Sequence, residues 1–415
     1  MSVLPQPGPP RVLALAQLIN SCGDGAFYVT SALYFTRVVG LSATEVGFGL
    51  TVGWAAGFLS SVPLGALADR RGPKATAVAL ALATAAAVGA FVFIGSFVAF
   101  VLSACVYASM QCGLSAARQA LLAALVDQAD RTATRAYLQS STNAGLAVGA
   151  ALGGLALYAD TRGAYLGVFA MDVIGFVAAA LLLLRLPPTP PAAARAKGEP
   201  RLAVLRDRPY ALVSLLNLVM QLHIPMIGLA IPLWIVERTH APGWTVSGLL
   251  VLNTVGVVLF QVRVARRVTS LTSASRAVRY AGVLLLASCG VFALTSVVVA
   301  TGPWTAALIL LGAAVLQVLG EMVQASGAWE ISFALAPDGK HGQYQGFFGA
   351  GFAVARMIGP LVLTTLVLSG GTIGWLVLGG AFLTAGLAMG PAVRWAAANR
   401  PLEANGPQVL VAARG

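Results

Sequence analysis

Residues 46–95 read VGFGLTVGWAAGFLSSVPLGALADRRGPKATAVALALATAAAVGAFVFIG. Two apolar runs, 46–68 and 75–95, flank a short turn that holds Asp69, Arg70, Arg71 and Lys74. About 20 mainly apolar residues in a helix cross the ~30 Å hydrocarbon core of a bilayer, so each run is long enough to span one. Tightly spaced charge between two such runs marks a turn at a membrane surface.

The same pattern continues in both directions. Spans are expected at 12–36, 46–68, 75–95, 98–124, 137–158 and 163–184. A second set follows at 209–236, 245–262, 278–300, 304–335, 343–368 and 373–395. Between the sets lies 185–208, rich in Pro, Ala and Arg, which reads as a polar linker. The expected fold is therefore an all-α polytopic membrane protein of twelve transmembrane helices in two six-helix halves. The expected units are 1–184, the linker 185–208, 209–398, and a polar tail 399–415.

Composition agrees. Of 415 residues 58% are hydrophobic and 10% charged, and mean hydropathy is +0.84. A soluble domain carries roughly 25% charged residues, so this chain needs lipid around it. The net charge of +12 sits in short segments between spans, without a basic face or aromatic interleaving, and no nucleic-acid partner is expected. Twenty-one Lys and Arg residues fall in segments on one side, against Arg37, Arg162 and Arg238 on the other. Basic loops stay in the cytoplasm, so both termini are expected there. A composition rich in Ala, Gly and Arg and poor in Lys suggests a bacterial plasma membrane. Cys22, Cys105, Cys112 and Cys289 all lie in apolar runs without paired spacing, and read as packing residues. There is no nucleophile triad, phosphate-binding loop or metal-ligand cluster, so neither an enzyme nor a cofactor is expected.

The halves echo each other: Leu41-Ser-Ala-Thr-Glu-Val-Gly47 opens the second span and Gly243-Trp-Thr-Val-Ser-Gly248 the eighth. Six spans repeated in parallel is the layout of one large class of transporters, whose binding site lies near the midplane between repeats.

The turn Gly65-Ala-Leu-Ala-Asp69-Arg70-Arg71-Gly72-Pro73-Lys74 resembles the signature loop of the major facilitator superfamily, G-x-L-a-D-r-x-G-r-K, with Pro73 at a usually basic position. The resemblance implies a cytoplasmic gating loop that latches the halves in the outward-facing state. Span 5 contains Gly145, Gly149, Gly153 and Gly154. This run resembles the glycine-rich antiporter motif of drug exporters, with Ala150 where that motif has proline, and close helix packing explains the glycines as well. Ser109 stands near the place where the family's fourth span carries arginine. Tyr344-Gln-Gly-Phe-Phe-Gly349 and Arg356-Met-Ile-Gly-Pro360 resemble the eleventh span of bacterial drug and metabolite exporters. The resemblance also implies a monomer, and that spans 1, 4, 7 and 10 line the central cavity.

Charges inside spans cost at least ~2.5–3.5 kcal/mol each at the bilayer centre, which makes them functional candidates. At ~1.5 Å per residue, Asp24 lies about 20 Å from the basic side, Glu321 about 22 Å, Arg356 about 20 Å and Arg118 about 14 Å. Helical steps of three and four place Gln17, Asn20, Ser21, Asp24 and Tyr28 on one stripe of span 1. Tyr107, Gln111, Ser115 and Arg118 share a stripe of span 4, Asn217 and Gln221 one of span 7, and Gln317, Glu321 and Gln324 one of span 10. Asp24 is the first candidate for proton coupling, because burial favours the protonated form of a carboxyl group and a nearby cation the ionised form. A fixed hydrogen bond to Asn20 or Tyr28 is the structural alternative. Glu321 is the second candidate, and its matched depth suggests a buried ion pair with Arg356. Arg118 is expected to hold an anionic substrate or a carboxylate, or else to reach toward the surface. His223 lies off the polar stripe and is expected to make a local hydrogen bond, Asp172 to be structural, and Glu330 to act as a gate or cap.

The expected function is proton-coupled efflux of a small amphipathic organic compound by antiport. A proton-linked importer or a uniporter is the alternative, and a membrane sensor or scaffold a more distant one.

Overall fold

A computed structural model describes residues 7–192, 200–295 and 302–400. Arg195 and Lys197 of the linker and the tail beyond Arg400, with Arg414, lie outside the described residues. The described residues form twelve helices long and apolar enough to cross a membrane. The first six are α1 (Pro9–Val38), α2 (Ala43–Arg71), α3 (Pro73–Phe93), α4 (Phe97–Leu125), α5 (Gln128–Ala159) and α6 (Arg162–Leu184). The second six are α7 (Arg208–Arg238), α8 (Trp244–Ala265), α9 (Leu271–Leu294), α10 (Pro303–Ala334), α11 (His341–Ser369) and α12 (Gly371–Ala398).

Local chemistry explains most starts. Ser42 caps α2 reciprocally with Glu45: its Oγ accepts from the Glu45 N–H at 3.2 Å, and Glu45 Oε2 accepts from the Ser42 N–H at 2.8 Å. Ser96, Thr161 and Ser270 cap α4, α6 and α9 with their hydroxyls. Proline opens α1, α3 and α10, where a missing N–H costs nothing. Gly72 joins α2 to α3 with φ of 91°, and a Cβ there would lie 2.6 Å from the Thr189 carbonyl oxygen. Several helices are irregular, α1 among them, which ends in a π-helical turn at Tyr34–Val38. At α7, Pro225 precedes a π-helical turn at Met226–Ala230, and α11 ends in another at Thr364–Ser369 after Pro360.

The helices run 21 to 32 residues, or about 32–48 Å, so they project beyond the hydrocarbon or tilt within it. Span 5 was expected from 137 but α5 begins at Gln128. Its first turns carry Gln128, Asp130, Arg131, Thr132 and Arg135, which are too polar for hydropathy to mark as part of the span.

Each half repeats one packing pattern. α1 packs on α5 and α6, α2 on α4, and α3 on α4 and α6. In the second half α7 packs on α11 and α12, α8 on α10, and α9 on α10 and α12. Each half has its own buried apolar cluster, one containing Phe27, Tyr34, Phe91 and Phe169, the other Trp234, Phe292, Trp375 and Phe382. Large apolar side chains such as Leu59, Phe93 and Leu308 are exposed on the outside, as a lipid-facing surface requires.

The halves meet through α2 with α11, α5 with α8 and α10, and α4 with α11. The closest approach lies near the α2–α3 turn, at the end called here the loop face. A Cβ on Gly65 would sit 2.1 Å from the Gly342 carbonyl oxygen, and one on Gly346 2.4 Å from that of Ser61. At the other face, polar ties join helices of one half: Arg37 to Asp160 at 2.8 Å, and Arg238 to the Leu368 carbonyl at 2.8 Å.

Candidate functional site

The four polar stripes behave differently once folded. On α1 and α4 they converge. Asp24 accepts from Asn20 Nδ2 at 2.8 Å and from Gln111 Nε2 at 3.2 Å. Gln111 Nε2 also lies 3.1 Å from the Tyr107 hydroxyl. Arg118 donates to Asn20 Oδ1 at 2.6 Å and to Gln17 Oε1 at 3.2 Å. The guanidinium therefore reaches Asp24 through the Asn20 amide and not directly. The hydrogen bond raised as a structural alternative for Asp24 is present, but Gln111 crosses from α4 to share the carboxylate. Tyr28, one turn beyond Asp24, is 37% exposed, whereas Asn20 is buried at 1%.

Three glycines of α5 make this placement possible. A Cβ on Gly149 would lie 2.0 Å from the Cys22 carbonyl oxygen, one on Gly145 2.7 Å from that of Leu18, and one on Gly153 3.0 Å from that of Ala26. The stripe at steps of four therefore carries the Asp24 segment of α1 backbone to backbone. Gly154 was expected in the same motif but meets nothing within 4 Å. One residue is about 100° of helix, which turns it off the contact stripe.

The second-half stripes are more interior. Gln324 Nε2 donates to Asn217 Oδ1 at 2.9 Å, joining α10 to α7. Asn217, Gln317 and Gln324 are all 4% exposed or less, so in this conformation they pack between helices rather than open on a cavity. Gln221 is partly exposed. His223 makes the expected local bond, Nδ1 to the Met220 carbonyl at 2.7 Å.

The expected Glu321–Arg356 ion pair does not form. Glu321 accepts from Asn253 Nδ2 of α8 at 2.8 Å. Arg356 instead places its guanidinium carbon 4.7 Å from the Trp54 ring centre, 5.0 Å from Tyr28 and 5.5 Å from Phe352. Each cation–π contact contributes about 0.5–2 kcal/mol. Three are comparable to the ~2.5–3.5 kcal/mol cost of the charge, so the cage holds the cation without a carboxylate. Trp54, Phe352 and Asn253 were not singled out from the sequence; Asn253 had a signal, being an amide inside the eighth apolar run.

Asp172 is wholly buried on α6 and its carboxyl oxygens have no partner among the described residues. A Cβ on Gly23 would lie 2.4 Å from its Oδ1, so the group presses on the α1 backbone just before Asp24.

At the loop face, Asp69 accepts from the Gly342 N–H at 2.6 Å and the Gln343 N–H at 2.9 Å. These are unpaired donors in the first turn of α11, so the carboxylate of one half caps a helix of the other. Lys74 Nζ donates to the Leu184 carbonyl at 2.8 Å and to that of Leu186, while its N–H meets Thr189 Oγ1 at 3.0 Å. Lys74 thus caps the end of α6. Arg70 reaches the Arg201 carbonyl at 3.5 Å, and Arg71 is exposed. Further links across the seam are Thr132 to Glu330 at 2.5 Å, Arg266 to the Tyr137 hydroxyl at 3.0 Å, and Arg135 over Trp329 at 5.2 Å.

Comparison with known proteins agrees with this architecture. The human organic anion transporter TETRAN superposes at a TM-score of 0.70 with 17% identity, over 92% of this chain and 100% of that one. A bacterial homologue of the iron transporter ferroportin, outward-facing, gives 0.72 with 17% identity over 94% and 99%. FucP, a major facilitator transporter in the outward conformation, gives 0.69 with 13% identity over 94% and 98%. At such identities the likeness carries the fold alone. No curated protein matches the sequence. The family model of the Major Facilitator Superfamily matches residues 13–360, most of the chain and both halves, and the chain therefore belongs to that superfamily of multi-pass membrane transporters.

Proposed function

We propose that the protein is a proton-coupled secondary transporter of a small amphipathic organic compound, with Asp24 as its proton-binding group. The supporting observation is the Asp24–Asn20–Gln111–Arg118 network, a carboxylate held deep in the bundle by side chains of two helices. A carboxylate whose partners are amides and a relayed guanidinium can exchange them for a proton when the helices shift. The positive-inside rule supports reading the basic loop face as cytoplasmic, and the closed seam there supports reading this conformation as outward-open. Alternating access then consists of breaking the Asp69–α11 cap and the Gly65–Gly342 contact as the far face closes.

Binding of cargo and proton is reciprocally linked. Cargo that competes with the proton at Asp24 gives exchange, the efflux mode expected from the sequence. Cargo that binds best beside a protonated Asp24 gives movement in the same direction. A proton gradient is sufficient in either case, since one charge crossing ~100 mV gains about 2.3 kcal/mol. The test is counterflow in proteoliposomes loaded with a library of aromatic acids, amines and neutral analogues, with a pH dye inside. Saturable counterflow accompanied by a pH change supports the proposal. Failure of every compound to exchange favours a sensor or scaffold, and exchange without a pH change favours a uniporter.

A further inference from the structure

Arg356 has aromatic rings about it and no hydrogen-bond acceptor among the described residues. Its ring contacts are drawn from α1, α2 and α11, so the cage closes across the seam between the halves. The side chain is partly exposed, and no carboxylate or carbonyl of the described residues bonds it. Its expected partner Glu321 is occupied by Asn253. All five N–H groups of a guanidinium lie in its plane, where two parallel donors match an oxyanion. At about 20 Å depth, the group lies far from lipid headgroups.

We propose that Arg356, with Tyr28, Trp54 and Phe352, is the binding site for a small amphipathic organic anion. The acid group, a carboxylate, sulfonate or phosphate ester, takes the edge of the guanidinium, and the apolar body lies against the rings. This rests on the transport reading above and gives it a substrate class. The cage also adjoins the proton site, since Tyr28 follows Asp24 by one turn, about 6 Å along the helix. The ionisable groups facing Asp24 are Tyr28 on its own helix, Arg118 and Tyr107 on α4, Asp172 on α6 and Arg356 on α11. An anion on Arg356 is repelled by an ionised Asp24, so it binds best when Asp24 carries its proton. Proton and anion then cross together.

The test is equilibrium binding of three matched probes to the protein in phosphatidylcholine nanodiscs: naphthalene-2-sulfonate, 2-naphthamide and 2-naphthyltrimethylammonium. The sulfonate is expected to bind at least tenfold tighter than the other two. Arg356→Gln should weaken it tenfold or more and Arg356→Lys by less, while Asp24→Asn, fixed in the neutral form, should bind it at least as tightly as wild type and with its pH dependence removed. Arg356→Lys keeps the charge and controls for folding. Absence of sulfonate binding, equal affinity for the amide or the ammonium, or unchanged affinity in Arg356→Gln would overturn the proposal. Proton uptake on sulfonate binding is read separately. Arg356-dependent binding without proton uptake leaves the anion site standing and removes Asp24 coupling, whereas proton coupling with cationic cargo does the reverse.

Discussion

Replacing Asp69 by Asn tests how the loop face is held shut. In this conformation the carboxylate accepts two backbone N–H groups of α11, at 2.6 and 2.9 Å. Asn keeps the shape but offers one oxygen, so the other N–H faces an amide donor. A hydrogen bond to a charged group contributes about 1.5–3 kcal/mol, and a negative charge at a helix N-terminus about 0.3–1 kcal/mol more. Because the contact joins the two halves, the loss falls on the equilibrium between conformations rather than on either half alone. A net loss of about 2 kcal/mol shifts that ratio about thirtyfold toward the state open at the loop face. Spin labels at Asp130 and Arg276, exposed on that face in different halves, report the separation by pulsed electron resonance. The longer-distance population should grow in Asp69→Asn and not in Arg71→Gln, whose side chain is exposed. Equal distance distributions in Asp69→Asn and wild type would refute the latch.

Gly149→Ala forces a Cβ to 2.0 Å from the Cys22 carbonyl and should cost about 1–3 kcal/mol by overpacking, seen as a lowered melting temperature. Gly154→Ala, with open space around it, should leave melting unchanged or slightly raised. Arg118→Lys cannot reach Gln17 and Asn20 together, so about 1.5–3 kcal/mol of hydrogen bonding to the network is lost; both the melting temperature and transport turnover should fall. Asp160 lies between α5 and α6, where hydrogen bonds from the Tyr165 hydroxyl and from Arg37 hold its carboxyl below the usual range. Its contribution is present above the ordinary aspartate pKa of ~3.9 and disappears as pH falls through the lower folded value. The melting difference between wild type and Asp160→Asn should therefore be constant from about pH 8 to 5 and vanish in stronger acid.

The number and order of the helices were legible in the sequence because hydropathy over about 20 residues is a property of each segment alone. The Asp24 stripe was legible for the same reason, since steps of three and four fix which residues of one helix share a face. Partners across helices were not. Glu321 and Arg356 have matching depths, yet depth does not fix azimuth, and each found a different neighbour on α8 or in an aromatic cage. Asn217 and Gln324 lie on polar stripes like Gln111, but they bond one another between α7 and α10. Nor did hydropathy find the first turns of α5, whose polar residues Thr132 and Arg135 face the other half. The glycine stripe shows the limit in another way: Gly145, Gly149 and Gly153 were visible as a motif, but only packing reveals that the helix they receive is the one carrying Asp24.

The most direct test of proton coupling at Asp24 is substrate-driven proton movement in proteoliposomes for wild type and Asp24→Asn. The same compounds are followed by isotope and by an internal pH dye. The wild type is expected to move protons with its substrate, and Asp24→Asn to bind and exchange substrate while proton movement is lost. Coupled proton movement undiminished in Asp24→Asn would contradict the assignment, make Asp24 a packing residue, and turn attention to Glu321.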